Sequence, residues 1–283
     1  MSSGPLRLVI AALVLCLLAR AAAGAWRNRL LAAVVWRKVG LRHIAGAFGL
    51  FTLVATLASL LLTSPLLRFG LGSIVGFSGN AVFTPLEELT ARSGLVGADG
   101  GHDWYLVAAA TVFLGFIALL VPWLAFIEEE IFRGGLEEAD LRQEVGAALR
   151  FGLVHLVMLV PIAAALAIAV AGFCYGRIYR RAYHSDAHTR VPEVVARTYR
   201  PTPRARSAAL RALRRRTPPV HLPEDGPAAL FEGGSLPIAP SAAVPAQLRQ
   251  ASGVLASTVW HATFNSLVLV LLWLVVIFDA AAG

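Results

Sequence analysis

Residues 126–134 read Phe-Ile-Glu-Glu-Glu-Ile-Phe-Arg-Gly and close an apolar run that begins at Trp104. Ionisable groups at the edge of hydrocarbon are costly, so they are retained for chemistry, for pairing, or where the membrane stops. On a helix Glu129 and Arg133 stand four residues apart, about 40° around the axis, and can pair. Glu128 points roughly 100° away from that pair and is left free to act. Two further polar clusters interrupt apolar sequence: His155, ending Phe151-Gly152-Leu153-Val154-His155, and His261-Ala262-Thr263-Phe264-Asn265. Four residues on a helix return to one face, so His261 and Asn265 point together. A carboxylate, two imidazoles and a carboxamide can deprotonate water, donate hydrogen bonds to an oxyanion and hold a peptide carbonyl. Singly, each has a structural explanation: an interhelical hydrogen bond for His155, an ion pair for Glu129 and Arg133, a packing polar group for Asn265, an interfacial cap for the glutamates. Their order along the chain and their common depth favour the chemical reading.

The chain must then hold these groups inside a membrane. It has 283 residues, 57% apolar and 15% charged, with mean hydropathy +0.69, which places it among integral membrane proteins. Cys16 and Cys174 both sit in apolar runs and read as packing residues. The net charge of +8 is concentrated between apolar runs, which favours a topology signal over nucleic-acid binding. Residues 8–23 read as a retained first helix. Residues 26–43 carry Arg27, Arg29, Arg37, Lys38 and Arg42 with no acid and should face the cytoplasm. Residues 44–63 form an uncharged run long enough to span. The loop 64–103, with Glu87, Glu88, Asp99 and Asp103 against Arg68 and Arg92, fits the outside.

Residues 104–127 return inward, kinked at Pro122, and bring the glutamates to the cytoplasmic end. Residues 133–150 alternate charge with apolar side chains and read as interfacial. At 151–175, interrupted by Pro161, the chain either crosses once or turns back. From Arg177 to Arg216 there are twelve arginines against Asp186 and Glu193, and a single crossing would place this segment outside, against the positive-inside tendency. A turn near Pro161 also starts the last span, 254–277, inside, so that His261 and Asn265 lie near the depth of Glu128. The expected fold is therefore all-α, a polytopic bundle of about six transmembrane helices. The fourth and fifth are expected to be short, and the fourth recruits residues 146–150. Residues 1–283 form one membrane domain, with catalytic-core helices at 104–183 and 253–277. Residues 184–252 are a basic Pro/Ala/Arg-rich cytoplasmic insertion, in which 204–216 reads as a stretch suited to anionic lipid or as a solvated linker.

These motifs resemble those of the CPBP intramembrane proteases, the group that includes the type II CAAX prenyl endopeptidases. Glu128 to Arg133 fits EExxxR, Phe151 to His155 fits FxxxH, and His261 to Asn265 fits HxxxN. Starting the first motif one residue later would require arginine where Gly134 stands. The resemblance covers about residues 104–277 and implies an endopeptidase open toward the cytoplasm, in a multi-pass protein of the plasma membrane, acting on a membrane peptide or protein in the lipid bilayer. It makes Glu128 the base that activates water with His155 assisting, His261 and Asn265 the oxyanion-stabilising pair, and Glu129 with Arg133 a structural brace.

The cofactor question has two answers at this level. Glu128, His155 and His261 would suffice for a catalytic zinc with an open position, although no HExxH is present; the same residues support a metal-free glutamate mechanism, which we expect. Family members pass to the HxxxN helix through a short turn, whereas here more than sixty residues intervene, suggesting that the insertion gates or recruits substrate. The competing function is a non-catalytic binding, immunity or scaffold protein on the same fold.

Overall fold

The structure, a computed structural model, describes residues 4–74, 104–200, 203 and 240–282. The acidic stretch 75–103 and the arginine-rich stretch 204–216 lie outside the described residues. The helices are α1 (Gly4–Arg27), α2 (Arg29–Lys38), α3 (Leu41–Leu61), α4 (Leu71–Ile74), α5 (Trp104–Arg133), α6 (Leu141–Val154), α7 (Ile162–His184), α8 (Glu193–Thr198) and α9 (Pro240–Ala282). Short 3-10 turns occupy Pro65–Arg68, His155–Met158 and Asp186–Arg190. The architecture is an all-α membrane bundle. Five helices among the described residues are long and apolar enough to cross a bilayer: Leu8–Arg27, Leu41–Leu61, Val107–Arg133, Ile162–His184 and Ala246–Phe278.

The expected fourth span, α6, is short as expected, with 14 residues, about 21 Å of helix against roughly 30 Å of hydrocarbon. Its start is wet: Asp140 caps it by accepting from the Gln143 backbone N–H at 2.8 Å, and Arg142 and Glu144 fall in its opening turns. The expectation that the fifth helix is also short does not hold, because α7 runs for 23 residues. Its charged end is stabilised against α6, where Glu144 receives Arg177 at 3.3 Å and also pairs with Arg180.

The reversal at Pro161 is built from local geometry. Following the 3-10 turn, Leu159 adopts φ 66°, a left-handed conformation that costs a branched side chain about 1 kcal/mol. Pro161 then caps α7, and the Ile162 N–H donates to the Phe69 carbonyl at 2.8 Å. Antiparallel packing of α6 on α7 is close because Gly152 has no side chain; a Cβ there would lie 2.2 Å from the Ala165 carbonyl oxygen. Alanines at 163, 165, 167, 169 and 171 are buried along α7, the small-residue interface that lets membrane helices approach.

α9 is 43 residues long, about 65 Å, and therefore projects beyond the hydrocarbon at its basic end. It starts at Pro240, and Gln250 and Ala251 are already buried. Val195 of α8 and the following Tyr199 join them in a core with Leu31, Val35, Val121 and Phe126. Portions of 184–252 thus pack on the bundle as a cap over its basic end. Toward lipid, α3 exposes Phe48, Leu53 and Leu60, and α1 exposes Val9, Leu13 and Leu17.

Candidate functional site

The end of α5 fixes the first two carboxylates. Gly135, at φ 92°, takes the left-handed conformation that terminates a helix without steric cost. One turn earlier, fully buried Glu129 accepts from the Arg133 Nε–H at 3.0 Å, the pair that helical spacing predicts. Its other oxygen receives His261 Nδ1 at 2.9 Å. Because that partner is a carboxylate, Nδ1 carries a proton, and Nε2 faces Glu128 Oε2 at 3.7 Å. The Glu128 side chain is 36% exposed, whereas Glu129 is wholly enclosed. Adjacent glutamates therefore have different work: one is fixed and one is accessible.

Phe151 organises the remaining side chains. The Arg133 guanidinium lies 4.7 Å from its ring centre, a cation–π contact in a desolvated setting. Edge-on contacts join the same ring to His155 at 5.1 Å and to His261 at 5.6 Å. Tyr175 stacks on the His261 imidazole with centroids 4.8 Å apart, fixing the plane that the Glu129 hydrogen bond leaves free to swing. Room for Phe151 comes from Gly172, where a Cβ would meet the ring at 2.6 Å.

His155 and Asn265 are less tightly drawn in. His155 donates from Nδ1 to the Phe151 carbonyl at 2.8 Å, leaving Nε2 as acceptor in the neutral ring. Among the described residues no hydrogen bond or ion pair joins it to Glu128 or His261; the Phe151 ring contacts both imidazoles. Asn265 lies one turn along α9 from His261 and is half-buried. Buried atoms with no hydrogen-bond partner among the described residues include Glu128 Oε2, Arg133 Nη1 and Nη2, and the Tyr175 hydroxyl. An acceptor and three donors of this kind suit a polar guest, since leaving such groups unmatched is costly.

A metal is tested by the same donors. With each Nδ1 committed, the Nε2 atoms of His155 and His261 and the Glu128 carboxylate would have to surround one ion. Among the described residues no three His, Cys, Asp or Glu side chains gather in that way. The steps proposed below are carried by the protein's own side chains.

Sequence reasoning missed Tyr175 and the tie from Glu129 to His261. Tyr175, Tyr179 and Tyr183 recur every four residues on Ala-rich α7, a face that spacing alone makes visible. It also missed a second buried network. Glu137 accepts from the Tyr179 hydroxyl at 2.6 Å and the Gln250 amide at 2.8 Å, and Gln250 in turn accepts from Tyr199 at 3.3 Å. Burial pushes the Tyr199 hydroxyl far above its ordinary pKa, so it stays a neutral donor. This cluster ties α7, α8 and α9 to the loop after α5, just beyond the Glu129 site.

No protein-family model, no curated protein and no solved structure matches the chain.

Proposed function

We propose that this protein is an intramembrane endopeptidase of the CPBP kind, hydrolysing peptide bonds of membrane-associated substrates, with its site open to the cytoplasm from the plasma membrane. The observation that supports this most is His261 bridging two unlike carboxylates, with Glu129 on Nδ1 at 2.9 Å and Glu128 opposite Nε2 at 3.7 Å. Glu128 accepts a proton from water while the water oxygen attacks the scissile carbonyl carbon, and the carbonyl π electrons move onto oxygen. The resulting oxyanion is held by the Nε2–H of protonated His261, with Asn265 as second donor. Glu128 then passes its proton to the amine nitrogen as the C–N bond breaks. Glu129 and Arg133 hold the imidazole and take no proton. His155 offers a further acceptor at Nε2 across the Phe151 ring.

The reading is tested with purified protein in liposomes carrying membrane-anchored peptides, new termini being detected by mass spectrometry. Wild-type protein is expected to generate them and Glu128→Gln to generate none. Cleavage at the wild-type rate by Glu128→Gln overturns the proposal. The separation of His155 from Glu128 favours a second reading, a non-catalytic peptide-binding or scaffold protein. That reading requires full biological activity from the Glu128→Gln variant.

A further inference from the structure

A cavity of ≈ 600 Å³ opens at the basic end of the bundle, between the α2–α3 junction, the Asp186–Arg190 turn and α9. Glu128, His155 and His261 do not line it. Its polar wall carries Lys38, Arg42 and Arg190 against a single carboxylate, Asp186. No ion pair engages any of these three cations among the described residues, and they line the opening together.

His43, at the floor, is oriented for the same sign of ligand. Its Nδ1 accepts from the Gly40 backbone N–H at 3.1 Å, so its proton sits on Nε2 and the ring presents a donor. Trp260 packs edge-on against it with centroids 5.0 Å apart. The opposite wall is apolar, formed by Leu255, Val259 and Trp260. Cations facing an apolar wall match an amphiphile with a negative head.

We propose that this cavity binds the phosphate of an anionic glycerophospholipid, with Lys38, Arg42 and Arg190 on the phosphate and an acyl chain against the Leu255, Val259 and Trp260 wall. Excess positive charge selects a headgroup with net negative charge over a zwitterionic one, whose ammonium the same cations repel. This site is independent of the peptidase reading, being carried by a different cavity.

The experiment uses the full-length protein in detergent, titrated with dioctanoyl phosphatidylglycerol, dioctanoyl phosphatidylcholine or inorganic phosphate and followed by native mass spectrometry. Phosphatidylglycerol is expected to bind about tenfold tighter than phosphatidylcholine, with inorganic phosphate failing to displace it. Lys38→Gln, Arg42→Gln and Arg190→Gln should each weaken it about fivefold, the share expected of one basic residue near anionic lipid. Arg181→Gln, which alters an exposed cation outside the cavity, should leave it unchanged. A photoactivatable phosphatidylglycerol in bilayers of wild-type protein should crosslink to residues 255–260, a readout that needs no variant to fold. Equal affinity for the two lipids, or crosslinks confined to other helices, overturns the proposal. Displacement by inorganic phosphate overturns the lipid assignment and leaves a free-anion site.

Discussion

Glu129 and His261, 132 residues apart in the chain, are joined at 2.9 Å in a fully enclosed contact. Through that bond α5 and α9 share one carboxylate, whose second oxygen belongs to Arg133. Removing the carboxylate leaves a buried guanidinium and an imidazole without their partner. Glu129→Ala is therefore expected to destabilise the protein by about 3–5 kcal/mol, the cost of breaking a buried pair from one side. Thermal unfolding in detergent measures it, and a variant as stable as wild type would contradict the arrangement.

Glu128→Gln should behave in the opposite way. Its side chain is partly open and, among the described residues, its ion-pair contact is to His261 at 3.7 Å, so folding should be retained. Loss of the proton acceptor is expected to lower peptide cleavage by at least about a hundredfold, the usual contribution of general-base catalysis. Unfolding temperature and turnover, measured on one preparation, separate this outcome from the Glu129 one.

Gly152→Ala and Gly172→Ala probe how closely α7 seats against α6. At Gly152 the new Cβ meets backbone oxygen at 2.2 Å, whereas at Gly172 it meets the Phe151 ring at 2.6 Å. Backbone cannot step aside as a ring can. Gly152→Ala should cost about 1–3 kcal/mol and more than Gly172→Ala, as compared by chemical denaturation. Gly172→Ala should instead reduce turnover disproportionately, because Phe151 contacts both imidazoles.

Tyr179→Phe removes a 2.6 Å donor to buried Glu137, and Tyr199→Phe removes a 3.3 Å donor to Gln250. The first should destabilise by about 1–3 kcal/mol, since it strips a buried carboxylate of a donor, and the second by less. A double-mutant cycle should show coupling between them through Gln250.

The direction in which the basic end faces can be read from cysteine accessibility. In a Cys16→Ser background, cysteines placed at Lys38 and Arg190 should resist a membrane-impermeant thiol reagent in intact cells and react after permeabilisation. Both positions are exposed, so labelling in intact cells would reverse the cytoplasmic orientation.

Helical spacing was sufficient to predict the contact between Glu129 and Arg133, because four residues along one helix define a fixed geometry whatever surrounds it. Charge asymmetry was sufficient to predict the turn at Pro161, since the arginines after Arg177 belong with those around Arg37. Neither signal reports how far a helix is rotated toward its neighbours. That rotation decides that His261 takes Glu129 while facing Glu128, that Phe151 lies between His155 and His261, and that Tyr175 covers the imidazole. The full length of α7 was likewise hidden, because its charged end depends on Arg177 and Arg180 being met by Glu144 from another helix.

From its sequence alone the protein is determined to be a helical membrane bundle whose ionisable groups are kept to the ends of its spans and the loops between them, because burial in lipid tolerates few elsewhere. Which of those groups touch was decided only in the folded bundle, where Gly152 and Gly172 set the approach of α6 to α7 and the bond from His261 to Glu129 joins helices that the chain keeps far apart in order.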